Sequence, residues 1–350
     1  MKRLSPRFLR PAILIGCALF LQPDCSRALT LEREKTLMGT SVQIILSGPD
    51  RKVLEEAMDA GFSTISNVEK SMSFFEADSE IAEINRCAGL RPVRVSPDLF
   101  GLIQEALSFS ELSGGCFDIT VGALAALWNF RLEDFRVPPE AQVKSRLNLV
   151  GFRKVHLEPK GLTVFLETQG MLISLGGIAK GYAVDKAVSN IRSLGVADGI
   201  VSAGGDLMAF GRKGDRKLWN VGVKNPRDEA KLVCVLPVSN AAVATSGDYE
   251  RFRIVEGVRY HHILDPRSGY PVRGCMSATV VARNALAADA LATAVFVMGP
   301  EEGLDLLERL PDTEGVVIDS QGRVRATSGL GAEQTAAVPE KEQNRGGPHP

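Results

Sequence analysis

The chain has 350 residues, of which 41 are basic and 42 acidic, for a formal net charge of −1. Such a length buries a large core, as one big domain or two closely joined ones. The balanced charge, with no basic stripe interleaved with aromatics, argues against nucleic acid as a partner.

Residues 1–28 read as an export signal. Lys2, Arg3, Arg7 and Arg10 precede an apolar run from Ala12 to Leu21, too short to span a bilayer, and Ser26-Arg27-Ala28 supplies small residues for cleavage. On that reading the mature chain starts near Leu29 and works outside the cytoplasm, in the periplasm. Leu14-Ile15-Gly16-Cys17 also resembles a lipoprotein box, which would put a lipid on Cys17 and anchor the chain to the inner membrane. Beyond the signal lie Cys87, Cys116, Cys234 and Cys275, whose spacing fits neither a zinc site nor a redox C-x-x-C. A disulfide is open in an oxidising compartment, but buried free thiols are expected, above all Cys234 in the apolar run VCVLPV.

Thr40–Leu46 alternates as a half-buried strand with Val42, Ile44 and Leu46 on one face, entered through Met38-Gly39. A helix is expected from about Arg51 to Glu69, capped by Asp50, with Val53, Leu54, Ala57, Met58, Gly61, Ile65 and Val68 on its buried stripe. A loop from Met72 leads to a short helix around Glu80–Asn85. The next helix starts at Ser96-Pro97, turns Leu99, Ile103, Ala106 and Leu107 inward, and stops near Gly114-Gly115. After Cys116–Thr120, Pro138 and Pro139 mark a linker into a short helix reaching Leu149. Val155 and Val164 lie on a hairpin turning at Pro159-Lys160-Gly161.

The chain is organised around Leu172–Asp185, LISLGGIAKGYAVD. The apolar run of Met171, Leu172, Ile173 and Leu175 suits a strand. Gly176-Gly177 breaks it, and Ile178, Tyr182, Ala183 and Ala187 continue at helical spacing. Two glycines let a ligand approach the backbone, and a helix start attracts an anion such as phosphate; a plain strand-to-helix turn is the other reading. Spacing excludes both the P-loop and the dinucleotide fingerprint. The helix ends at Gly195, and short strands follow at Ile200–Ala203, Leu207–Phe210, Leu218–Val223, Leu232–Val238 and Ala242–Thr245. Turns at Gly214-Asp215 and Glu256-Gly257 mark hairpins, so the sheet is largely antiparallel. A strand at Ser277–Ala282, helices at Ala285–Met298 and near Glu301–Leu310, and a hairpin around Ser320-Gln321-Gly322 complete a domain over residues 29–328. The polar tail, 329–350, lacks the apolar surface to fold.

Asp289 and Thr293 lie one turn apart on one face of the apolar helix ALAADALATAVFVMG. Asp289 is either the cap of a shifted helix start or a buried carboxylate with a reason to be charged, such as a hard cation held by oxygen ligands. His261 and His262 precede Ile263-Leu264-Asp265-Pro266, and an imidazole there is a candidate general base or simply a packed residue at a strand end. Ser202-Ala203-Gly204-Gly205-Asp206 and Ala244-Thr245-Ser246-Gly247-Asp248 are small-residue turns suited to close approach of a large flat ligand.

Taken in order, Met38-Gly39-Thr40, Phe117-Asp118-Ile119-Thr120-Val121-Gly122, the segment Gly176–Asp185, Ala203–Asp206, Thr245–Asp248, His262–Pro266 with Gly269-Tyr270-Pro271, and Ala288-Asp289-Ala290 with Thr293 resemble the FAD:protein FMN transferase, or ApbE, family over about Thr36–Ile318. The resemblance implies an α+β fold, mixed α/β with antiparallel sheets flanked by helices. It also implies a magnesium-dependent enzyme that moves FMN from FAD onto a Thr or Ser hydroxyl of an acceptor protein, such as a subunit of a respiratory or electron-transfer complex, and releases AMP. Position by position it puts magnesium on Gly177, Asp289 and Thr293. It puts FAD against Met38, Phe75, Cys116, Phe117, Asp118, Ser174, Lys180 and Leu264, and the base at His262. Phe75, Ser174 and Cys116 stand where the family often has Tyr, Asp and a small residue. An FAD-storing protein without chemistry and an FAD pyrophosphatase are the alternatives.

Overall fold

The computed structural model describes residues 29–213 and 216–330. The expected export signal, the lipidation site at Cys17 and all but the first two residues of the polar tail lie outside the described residues. In chain order the elements are β1 (Leu29–Leu37), β2 (Thr40–Gly48), α1 (Arg51–Met72), α2 (Glu80–Arg86), β3 (Val93–Arg94), α3 (Pro97–Leu112), α4 (Gly122–Trp128), α5 (Glu140–Leu147), β4 (Val155–Glu158) and β5 (Thr163–Leu166). Then come α6 (Ala179–Ser193), β6 (Asp198–Ala203), β7 (Asp206–Phe210), β8 (Trp219–Asn225), β9 (Asp228–Val238), β10 (Ala241–Gly247), β11 (Phe252–Val255), β12 (Val258–His261), β13 (Cys275–Ala282), α7 (Ala285–Met298), α8 (Pro300–Glu308), β14 (Glu314–Asp319) and β15 (Val324–Ala326).

An eight-stranded sheet in the order β1-β2-β6-β7-β10-β13-β14-β15 forms the middle of three layers. Every pairing in it is antiparallel. Strand alternation sends Val42, Ile44, Leu46, Ala242, Ala244, Ala278 and Val280 to one face, where α1, α6 and α7 cover them in the main core. Their neighbours Ile45, Val243 and Val281 point to the other face and pack against Trp219, Cys234 and Leu236 of the β8–β9 ribbon. The expected α+β class with antiparallel sheets and flanking helices is the one found.

Local chemistry explains most boundaries. The Asp50 carboxylate accepts the Lys52 and Val53 N–H groups at the start of α1, and Ser96 caps α3 with Pro97 in its first turn. Two expectations fail, and two elements had no expectation. The apolar run Met171–Leu175 is not a strand: Leu172 makes a single parallel bridge to Val121, the Ser174 N–H donates to the Ile119 carbonyl (2.7 Å), and the Asn85 side chain bonds both backbone groups of Ile173. Buried extended backbone is satisfied there without a ladder, which hydrophobicity alone does not distinguish from a strand. Gly214 and Asp215 lie outside the described residues, but the flanking β7 and β8 belong to different sheets, so no hairpin closes between them; β8 pairs with β9 instead. β1 and α4 were not foreseen, because β1 is an edge strand carrying the charged run Glu32-Arg33-Glu34-Lys35 with little buried face and α4 is only seven residues long. The four cysteines among the described residues are free and buried, and burial pushes the Cys234 thiol up to about 11.

Candidate active site

The GGIAKGYAVD segment docks α6 onto α7, residue by residue. A Cβ on Gly181 would lie 2.1 Å from the Ala285 carbonyl oxygen, so only glycine lets the helices come this close. Asp185, one turn on, accepts the Ala285 and Leu286 N–H groups at 2.8 Å each and caps the start of α7 together with Asn284. Asp289 is therefore not a cap. It is buried one turn into α7, where its Oδ2 accepts the Gly181 N–H at 3.1 Å and its Oδ1 lies 3.7 Å from the Lys180 ammonium. Burial pushes its carboxyl up, and the nearby Lys180 charge and the Gly181 N–H oppose that shift.

Lys180 also hydrogen-bonds Asp206, buried at the start of β7, and so spans two carboxylates. The Gly204-Gly205 turn, at φ of +60° and +92°, lets β7 begin there, with the Gly204 N–H donating to the Ser41 carbonyl (2.9 Å). Thr293 stands beside Ser246 at the end of β10 (Oγ to Oγ1 3.3 Å). A Cβ on Gly177 would come within 2.9 Å of the Thr293 Oγ1 and 3.3 Å of the Phe117 ring, which puts the double-glycine turn directly over α7. Of the residues singled out in the sequence, Phe117, Gly177, Lys180, Asp289 and Thr293 thus converge, and Ser174 lies under Gly176. Asp206 and Ser246 complete the cluster. Their signal was a small-residue turn ending in Asp or following Thr, too short to separate from an ordinary turn.

Cys116, Asp118 and Leu264 are buried in the surrounding framework. The Asp118 Oδ1 accepts the Thr120 N–H and hydroxyl, and its Oδ2 accepts the Phe152 N–H (2.9 Å), so the carboxylate holds two loops together. Leu264 packs with Leu124, Trp128 and Val143. Met38 occupies the β1–β2 turn at φ 54°, and Phe75 is 64% exposed with the Arg131 guanidinium 3.8 Å from its ring centre.

The histidines part where β12 ends. His261, its last residue, bonds the Val272 carbonyl through Nε2 (2.6 Å) and meets the Phe296 ring edge-on. His262 lies in the bend beyond, its N–H donating to the Arg251 carbonyl (3.0 Å) and its buried Nδ1 without a partner. Burial, reinforced by the charges of Arg251 and Lys180, brings the His262 pKa down to about 3. The ring is neutral at neutral pH, with its Nδ1 unpartnered.

A histidine whose folded pKa is lowered is protonated first in the unfolded chain, so its contribution to stability is present above the unfolded pKa and is lost as pH falls toward the folded one. The melting temperature is expected to fall as pH drops from about 6.5 toward about 3, and His262→Gln should flatten that slope. A slope unchanged in the variant would show that His262 is not the buried group titrating.

The sequence matches the profile of the ApbE family over residues 38–317. It is 36% identical over 322 residues to the FAD:protein FMN transferase of Treponema pallidum, covering 87% of this chain and 89% of that protein. With the FAD:protein FMN transferase of Klebsiella pneumoniae it shares 33% identity over 81% of this chain and 87% of the other. The crystal structure of an ApbE protein from Thermotoga maritima superposes with a TM-score of 0.82 at 35% identity, covering 87% of this chain and 99% of that one. The flavin transferase ApbE from Vibrio cholerae gives a TM-score of 0.77 at 28% identity, over 86% of this chain and 98% of that one.

Proposed function

The chain belongs to the ApbE family, and from that membership we infer that it is an FAD:protein FMN transferase, with FAD as substrate and a protein as acceptor. We propose that the acceptor is a Thr or Ser hydroxyl. Its oxygen attacks the FMN-side phosphorus of FAD, the bond from that phosphorus to the bridging oxygen breaks, and AMP leaves. The observation that carries this reading is the convergence of Lys180, Asp289 and Thr293 beneath the Gly176-Gly177 turn, with the His262 Nδ1 buried and unpartnered on the bend after β12.

In this mechanism His262 takes the proton of the acceptor hydroxyl through its free ring nitrogen, while Lys180 sets a positive charge beside the phosphates. Among the described residues no three His, Cys, Asp or Glu side chains converge as a metal cage. The donors that do converge, the Asp289 carboxylate, the Thr293 hydroxyl and the Gly177 backbone, are all hard oxygens with a single negative side chain. That set suits Mg²⁺ taken up together with phosphate oxygens and water. Asp289, Thr293 and the Gly177 carbonyl would hold the ion, which supplies charge neutralisation at the pyrophosphate.

Incubating the protein with FAD, Mg²⁺ and a candidate acceptor is expected to yield fluorescent flavin on the acceptor and AMP in solution, with EDTA stopping both. AMP and FMN without a modified acceptor would mean hydrolysis, and intact FAD retained by the protein would mean storage. His262→Ala is expected to slow transfer about a hundredfold to ten-thousandfold with FAD binding retained. His261→Ala should instead lower stability, since that ring is locked to Val272 and Phe296. An undiminished rate in His262→Ala, with chemistry limiting, would remove the base assignment. We also place the enzyme outside the cytoplasm, on the strength of the charged and apolar pattern of residues 1–28. Among the described residues no helix is long and apolar enough to cross a membrane. Signal cleavage or lipid at Cys17 is decided by the mass of the mature chain.

A further inference from the structure

Two arginines with no acid to balance them sit on adjoining loops, one of them, Arg251, bound through its backbone to His262. Arg131 follows α4, just past Asn129 at φ 27°, and reaches the β1–β2 turn: a Cβ on Gly39 would sit 4.0 Å from its terminal nitrogen, and its guanidinium carbon lies 3.8 Å from the centre of the exposed Phe75 ring. The Arg251 carbonyl accepts the His262 N–H, which fixes that backbone beside the imidazole. Two residues on, Arg253 donates to the Leu132 carbonyl at 3.0 Å and ties the Arg251 segment to the Arg131 loop. Arg227, Arg267 and Arg323 are paired with Asp248, Asp265 and Asp319, whereas among the described residues neither Arg131 nor Arg251 has an ion-pair partner. After desolvation, the Arg251 charge is what depresses the Arg131 pKa, and the same charge depresses that of His262. A fold that holds like charges together without an acid gains from an anion between them.

We propose that Arg131 and Arg251 form a clamp for the pyrophosphate of FAD, gripping the leaving phosphate beside His262; this rests on the flavin-transfer reading. Phosphate is favoured over a carboxylate of the acceptor because Arg131 lies against Phe75. A ligand with both a flat ring and phosphates covers the exposed aromatic face and the two guanidiniums at once, while an acidic side chain uses the charges and leaves the ring bare. Charge on the departing AMP is met by the same two groups.

The test is direct binding of FAD and of riboflavin, which has no phosphate, to the intact protein with Mg²⁺, read by flavin fluorescence. Arg131→Gln and Arg251→Gln are each expected to weaken FAD about tenfold or more, as loss of a charge-assisted bond implies. Riboflavin affinity and the melting curve should stay as in the wild type, and the salt dependence of FAD binding should become shallower. Unchanged FAD affinity would overturn the clamp, as would equal weakening of FAD and riboflavin, which would mean that the pair only shapes the ring pocket. Unchanged FAD affinity with a raised KM for the acceptor would reassign the pair to an acidic acceptor segment. A wild type that binds no FAD would remove the flavin-transfer reading itself.

Discussion

Asp289→Asn is expected to lower flavin transfer about a hundredfold or more, because the charge neutralisation a cation gives a phosphoryl transition state is worth several kcal/mol and this carboxylate is the only negative side chain among the proposed ligands. The amide is nearly isosteric and its oxygen can still accept the Gly181 N–H, so the fold should survive. Lys180 would keep Asp206 as its partner. The loss should therefore show as a shift to much higher Mg²⁺ demand, measured as rate against Mg²⁺ concentration, with near-UV circular dichroism unchanged. A variant with wild-type Mg²⁺ dependence would take Asp289 out of the metal site. It would leave the carboxylate with a purely electrostatic part beside Lys180.

The second large effect is structural and lies at the same junction. Gly181→Ala places a methyl group 2.1 Å from the Ala285 oxygen, 2.5 Å from its carbonyl carbon and 2.8 Å from the Leu286 Cα. All three are backbone atoms of a capped helix start and cannot rotate away. The helices must separate, and the cost is expected to be about 3 kcal/mol, at the upper end for overpacking. Separation also pulls the Gly181 N–H and Lys180 away from Asp289, so transfer should fall with stability. Gly101 provides the contrast, since a Cβ there meets nothing within 4 Å and the residue sits inside α3. Gly101→Ala should stabilise the chain by about 0.5–1 kcal/mol. Urea midpoints read both, and a wild-type midpoint in Gly181→Ala would show that α6 and α7 are not held at this distance in solution.

Where a segment's own period and caps decide its state, the sequence was enough. The Asp50 and Ser96 caps, the alternation of Val42, Ile44 and Leu46, and the span Ala285–Met298 are local facts, and the structure keeps them. The ordered motifs likewise carried the family, because glycines and aspartates at fixed places reflect backbone approaches that few other residues allow. What the sequence left open was decided by contacts between distant segments. Met171–Leu175 is apolar and extended yet pairs with no strand, since its partners are Ile119 and Asn85. Asp289 could have been a cap until Asn284 and Asp185 took that role, and Asp206 joined the site only because the β6–β7 turn brings it to Lys180. Arg131 and Arg251 are 120 positions apart in sequence and carry no motif. Their segments are joined by a hydrogen bond between Arg253 and Leu132, a long-range contact that no local pattern encodes.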